Sequence, residues 1–268
     1  MSDRKNGFAV VTGASSGIGL EIAKALAEKG FDLLITARDT RKLEDAAGEL
    51  RRMGARVSLV AADLATYEGV ETLASAIEAS GRPLEAIAIN AGHGAGGSFV
   101  GGTRLDEELH LIRLNVSSYV HLAKRVLPAM VERKRGRILF TGSVAGTAPL
   151  AFEAVYSASK AFVNSFSRSL REELKGTGVT VTLLMPSATD TAFFHRAHMD
   201  DTKVAAGKKD DPATVARQGV EAMLAGKGSV FGGSLGTKIQ GNAAHLLPEE
   251  TKARLFRGHS EPGGARPS

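Results

Sequence analysis

A tyrosine has an ordinary pKa of about 10, so it exchanges protons near neutrality only where its surroundings stabilise the phenolate. In this chain Tyr156 is followed by Lys160. Four residues along a helix bring two side chains to one face, so the ammonium would lie beside the phenol and lower its pKa. Ser143 comes before them, at the end of a strand-like run, where its hydroxyl could hold and polarise a carbonyl oxygen. Together the three could deliver a proton to that oxygen while a hydride reaches the carbon. The spacing alone is common; the serine and a glycine-rich turn upstream give it weight.

That turn is Thr12-Gly13-Ala14-Ser15-Ser16-Gly17-Ile18-Gly19. Glycines there allow a tight strand-to-helix turn and let backbone N–H groups approach a pyrophosphate at the helix N-terminus. The second apolar run ends Thr36-Ala37-Arg38-Asp39. A site for NAD normally holds an acid here for the ribose 2′-hydroxyl. Ala37 removes the carboxylate and the Arg38 guanidinium suits a 2′-phosphate, which points to NADP(H). A slip of one residue would place Asp39 there and restore NAD(H). Asp63 follows the third run, where a carboxylate can accept from an adenine amino group. Asn90-Ala91-Gly92 closes the fourth with residues small enough to pass beneath a ribose.

Other chemistries find less support. The seven histidines form no His-Glu-x-x-His pattern. His195 and His198 read as polar loop residues, and no metal is expected. Ser15-Ser16 is not a Gly-x-Ser-x-Gly nucleophile elbow. The chain has no Cys, which excludes disulfides, thiolate metal sites and a cysteine nucleophile.

The elements that must position these residues are legible in the apolar pattern. Phe8–Thr12, Asp32–Thr36, Val57–Ala62, Ala86–Asn90, Arg137–Thr141 and Val179–Met185 are short apolar runs, as expected of strands buried on both faces. A seventh strand is expected near Gly228–Gly232. Helical spacing recurs over 17–29, 40–53, 68–80, 106–134 and 152–175, and strand–helix repetition implies a parallel sheet with right-handed crossovers. Residues 187–211 carry mixed charge without periodicity and read as a lid. Asp211-Pro212 then starts a helix as N-cap and first helical residue. The tail from about residue 259 is expected to fray. One three-layer α/β/α domain spanning 1–268, with a mostly parallel, seven-stranded, doubly wound Rossmann sheet, accounts for the whole pattern.

Composition bounds the partners. The net charge is +5 and 31 of 268 residues are glycine. Arg133, Lys134, Arg135 and Arg137 form the densest basic run, broken by Gly136, which is too sparse for a nucleic-acid stripe. No apolar run approaches the ~18 residues of a membrane span, and the start shows no signal peptide. A cytoplasmic protein without membrane or nucleic-acid partners is expected.

With these residues in place, the sequence resembles the short-chain dehydrogenase/reductase family, in its single-domain branch. The likeness runs from Phe8 to about residue 235 and rests on the glycine turn, Asp63-Leu64, Asn90-Ala91-Gly92, Asn115, Ser143 and Tyr156-Ser157-Ala158-Ser159-Lys160. It implies an oxidoreductase that interconverts carbonyl and alcohol with NADP(H), Tyr156 serving as acid/base. It implies that Lys160 holds the nicotinamide ribose, that Ser143 positions substrate, and that Asn115 holds a water in a proton relay. It also implies nicotinamide-side contacts at Pro186, Thr189 and Thr191. Two positions depart from the family pattern: Ile89 replaces a first asparagine, and Ser187 follows Pro186 where glycine is usual.

Leu150, Phe152, Phe99, Phe193 and Phe194 flank the expected site, as pocket or as core. The helix after Tyr156 carries Phe162, Val163, Phe166, Leu170 and Leu174 in one broad stripe. The resemblance makes that helix a common dimer surface, so a homodimer or homotetramer is expected. The rival reading is an NADP-binding regulatory or scaffold protein that keeps the fold without turnover.

Overall fold

The computed structural model describes residues 7–234 and 249–265. Seven strands form one sheet: β1 (Gly7–Thr12), β2 (Phe31–Ala37), β3 (Val57–Ala61), β4 (Leu84–Ile89), β5 (Gly136–Thr141), β6 (Val179–Pro186) and β7 (Ser229–Gly232). Their order is β3-β2-β1-β4-β5-β6-β7, and every pairing is parallel. The sheet is thus parallel throughout rather than mostly so. Central strands bury nearly every side chain, whereas β3 and β7 at the edges leave several partly exposed. This follows from the pleat: Phe8 and Val10 of β1 enter one core, Ala9 and Val11 the other.

Helices cover both faces. They are α1 (Gly17–Glu28), α2 (Thr40–Arg52), α3 (Tyr67–Ala79), α4 (Leu105–Ile112), α5 (Ser118–Glu132), α6 (Ala154–Glu173), α7 (Phe193–Arg196), α8 (Lys203–Ala206), α9 (Pro212–Leu224) and α10 (Glu249–Ser260). The result is a doubly wound three-layer α/β/α sandwich. The strand order reverses between β1 and β4, and such a switch point opens a crevice at the carboxyl ends of the strands.

Three expectations change. The helix expected over 106–134 is interrupted: a π turn at Arg113–Ser117 separates α4 from α5. The extra residue of a π turn is invisible to apolar periodicity, because the flanking turns keep their own spacing. The segment 187–211 is not structureless. It holds α7 and α8 and is closed at its stem, where Asp190 N donates to Asp210 O at 2.9 Å and Asp210 N to Ala188 O at 2.8 Å. Fraying from residue 259 does not describe the chain as far as Ala265. Ser260 is buried, and Gly263 N and Ala265 N donate to the carboxylate and carbonyl of Asp201. The start of α9 is as expected, with the Asp211 carboxylate accepting from Ala213 N and Thr214 N ahead of Pro212.

Candidate active site

A cavity of about 710 Å³ opens at the switch point. Of the anticipated catalytic and cofactor-binding residues, all but Asn115 and Asp63 line it. Its floor is the glycine turn. Gly13 and Gly17 have φ of +67° and +57°, in the left-handed region that favours glycine. A Cβ on Gly19 would lie 2.1 Å from the Gly13 carbonyl oxygen, so only glycine lets α1 begin there. Ser16, at the N-cap of α1, makes no side-chain capping bond, which leaves the first amides open to an anion. Thr12 does what its place in the motif did not reveal. Its buried hydroxyl accepts from Asn90 N at 2.8 Å and Ala91 N at 2.9 Å, tying the ends of β1 and β4 together. A Cβ on Gly92 would meet Asn115 Oδ1 at 3.2 Å and Lys160 Nζ at 3.4 Å.

The adenosine end is set by β2. Arg38 is exposed, lines the cavity and contacts His110 Nε2 at 3.3 Å. Asp39 also lines the cavity, and its carboxylate caps α2 by accepting from Lys42 N at 3.1 Å. The sequence left the Arg38 and Asp39 registers open, and capping now occupies the acid. Asp63 lies outside the cavity, its carboxylate accepting from Ala65 N at 3.0 Å, while Ala62 and Leu64 on either side line the wall. Lys42 and Arg196 also line the cavity and were missed, because a helix-face lysine and a loop arginine look like solvated surface in sequence. Burial, and then the charge of Arg38, hold the Arg196 guanidinium below its usual range.

Ser143 sits two residues beyond β5, where it caps a short 3-10 turn over Val144–Thr147 by accepting from Ala145 N at 3.0 Å. It lines the cavity together with Tyr156. Tyr156 and Lys160 lie on α6, both buried. The lysine does not pair directly with the phenol. Its Nζ donates to Thr141 O at 3.0 Å and lies 5.7 Å from the centre of the Tyr119 ring. Burial draws the amine down to about 8 and pushes the phenol up, with Ser143 opposing that rise. The expected lowering of the tyrosine by Lys160 is therefore not present, because desolvation outweighs a cation turned towards a carbonyl.

Asn115 lies in the π turn and is fully buried. Its Oδ1 accepts from His93 N at 2.9 Å, and its Nδ2 donates to His93 O at 2.9 Å and to Ser159 Oγ at 3.0 Å. The side chain is committed to fixing the loop after β4. Pro186 O lies 3.5 Å from Ser143 Oγ, Thr189 is buried with its hydroxyl on Ser187 O, and Thr191 packs against Gly17. Ser187, the departure from glycine, donates to the Asp210 carboxylate at 2.7 Å and so helps close the stem of 187–211.

The outer wall is apolar. Leu150, Phe193 and Phe194 line the cavity, and the Phe193 ring lies 5.3 Å from that of Tyr156. Phe152 and Phe99 do not line it; Phe99 is on the surface. Gly94 and Gly96 pack beneath Phe193 and Met199, and Gly96 N donates to Ala197 O at 2.9 Å. This is where surplus glycine goes: it lets the loop after β4 meet the 187–211 segment without side chains between. Phe256, His259 and Ser260 of α10 complete the wall, a contribution from the far C-terminus that local sequence reading missed. His195 and His198 face Asp200 and Glu107 separately, and the described residues hold no cluster able to bind a metal. No helix among them is long and apolar enough to cross a membrane.

The family model for short chain dehydrogenases matches residues 7–202. A very-long-chain 3-oxoacyl-CoA reductase of Anas platyrhynchos is 31% identical over 254 residues, covering 93% of this chain and 78% of its own. An NADP-dependent 3-hydroxy acid dehydrogenase of Salmonella typhi is 32% identical over 205 residues, 76% of this chain and 82% of its own. A short-chain dehydrogenase from Sphingobium yanoikuyae, solved in complex with NADPH, superposes with a TM-score of 0.78 at 31% identity, covering 84% of this chain and 87% of that one. With the matched region carrying the glycine turn, the serine and the Tyr–Lys pair in one crevice, the chain belongs to the short-chain dehydrogenase family of oxidoreductases.

Proposed function

We propose that the protein reduces a ketone or aldehyde, or oxidises the matching alcohol, with NADP(H), and that Tyr156 handles the proton. The observation that carries this is the convergence of Ser143, Tyr156 and Lys160 on one cavity that also contains the glycine turn. A scaffold without turnover would have no need to bury a lysine beside a tyrosine there.

The crevice suits a dinucleotide on its own features. Side chains at Gly13 and Gly19 would collide with the ends of β1 and β4 and break the turn that forms the cradle, and Arg38, Lys42 and Arg196 offer cations to a 2′-phosphate. Bound NADPH supplies the hydride. Ser143 holds the carbonyl oxygen next to the Tyr156 hydroxyl, and Tyr156 gives its proton to that oxygen in reduction and takes it back in oxidation. Lys160 holds the ribose and, once a negative phenolate forms, offsets it. Phe193 and the closed 187–211 segment act as a lid that excludes water from the carbonyl.

Tyr156→Phe is the test. Proton transfer by a positioned acid contributes about 10²–10⁴-fold, so turnover should fall by that much while NADPH still quenches protein fluorescence or gains fluorescence on binding. In the same assay NADPH should outperform NADH at least ~10-fold, the worth of one charge-assisted contact to the 2′-phosphate. An unchanged rate in the variant would remove Tyr156 from the reaction.

A homo-oligomer belongs to this reading. Leu105, Leu109 and Ile112 leave an apolar stripe exposed on α4, which packs beside α6 and its exposed Phe162. The cytoplasmic assignment is supported by composition, since a cysteine-free chain draws nothing from an oxidising compartment.

A further inference from the structure

One buried ionisable group in the cavity has no part in that mechanism. Glu153 is 6% exposed, lines the cavity and lies one helical turn before Tyr156. It occupies the N-cap position of α6 yet makes no side-chain capping bond, and glutamate is not a favoured N-cap. Its side chain is therefore not held by the first amides of the helix. Oε1 accepts from the Ser260 hydroxyl at the end of α10, a residue far along the chain and itself buried. Among the described residues Oε2 has no hydrogen-bond partner, and no Lys, Arg or His pairs with the carboxylate.

The backbone beside it is constrained. Phe152 has φ of +63°, unusual for a bulky residue, and its carbonyl holds Gly97 N at 2.8 Å. Strain of this kind persists where surrounding contacts over-determine a position. A carboxyl that borders a cavity gains from a donor that enters it. Burial already raises the Glu153 proton affinity, and the residue lines the same cavity as Tyr156, three positions before it at the start of the same helix. Leu150, Phe193 and Phe256 give the cavity an apolar wall.

We propose that Glu153, held by Ser260, is the specificity-determining residue of the substrate site: its free oxygen accepts from a hydroxyl or ammonium group on the α or β carbon of the substrate. This rests on the carbonyl–alcohol reading above and narrows it. The favoured substrates are hydroxy or amino carbonyl compounds. A carboxylate at the same position meets the glutamate as a like charge and is disfavoured.

The test uses the full chain with NADPH and three ketones of matched length: an α-hydroxy ketone, its deoxy analogue and the corresponding keto acid. The wild type should favour the hydroxy ketone in kcat/KM over both others by at least 10-fold, since a site that loses a hydrogen-bond partner rejects the analogue strongly. Glu153→Gln, which keeps an acceptor, should retain part of that preference. Glu153→Leu should bring the hydroxy-to-deoxy ratio to about one, and Ser260→Ala should lower it less. NADPH binding and the thermal midpoint of each variant show that the fold is intact. The same ratio in wild type and Glu153→Leu, or a wild-type preference for the keto acid, overturns the assignment. If no ketone is reduced, the carbonyl–alcohol reading fails separately. Glu153 is then judged by binding: a vicinal diol should raise the thermal midpoint of the NADPH complex in the wild type and not in Glu153→Leu. Absence of that shift overturns it too.

Discussion

A buried amine prefers to be neutral, and Lys160 is held from its ordinary 10.5 down to about 8 by burial. Between those values the unfolded chain carries a proton that the folded chain lacks. Stability therefore rises with pH through that window and falls as pH drops back towards 8. At about 1.4 kcal/mol per unit, the full effect is on the order of 3 kcal/mol. Tyr156 works the other way above its ordinary 10, because burial raises it and the unfolded chain loses its proton first. Urea unfolding of the cofactor-free protein at pH 8, 9 and 10 should show rising stability, and Lys160→Met should flatten the rise. A slope of equal size in the variant would assign it to other groups. The identities and spacing of Ser143, Tyr156 and Lys160 were legible in the sequence. The direction of the lysine was not, since it depends on Thr141 O, on a strand some twenty residues away.

The π turn between α4 and α5 is the element that sets Asn115 against the loop after β4, behind the cavity wall. Its three side-chain hydrogen bonds join residues distant in sequence, His93 and Ser159. At about 1 kcal/mol net for each bond, Asn115→Leu should cost ~3 kcal/mol in urea unfolding, with the His93 backbone left unpaired. A loss under about 1 kcal/mol would mean that the loop after β4 finds other partners. Apolar spacing across 106–134 marked a helix because Leu111, Leu114, Tyr119 and Leu122 do pack inward. It could not mark the inserted residue, whose reward is polar and tertiary. The 187–211 segment was hidden for a similar reason. Its helices span four residues each, too short for periodicity, and its closure depends on Asp210.

Across the whole molecule, both faces of the sheet are covered, yet Leu105 (72% exposed), Leu109 (43%) and Ile112 (39%) of α4 remain exposed, beside Phe162 (39%) of α6. Exposed apolar residues on two packed helices offer a surface on which the proposed assembly can be tested. Sedimentation velocity should find a homodimer or homotetramer, and Leu109→Glu combined with Phe162→Glu should shift it to monomer. A wild type that sediments only as monomer would reject the assembly. The α6 stripe itself divides as its burial requires, with Val163 in the core and Phe162 at the surface stacked on Phe166. The sequence by itself determined the strand–helix alternation, the glycine turn, the Tyr–Lys face and the basic residue after β2, because each depends on residue type and local spacing. Only the tertiary structure decided which groups share the cavity. It placed α10 and Ser260 against Glu153, turned Lys160 towards Thr141, committed Asp39 to a cap and brought the glycines after β4 beneath Phe193 and Met199. These contacts join segments far apart along the chain, and what selects them is burial, desolvation and hydrogen-bond satisfaction in the folded core, which no local window contains.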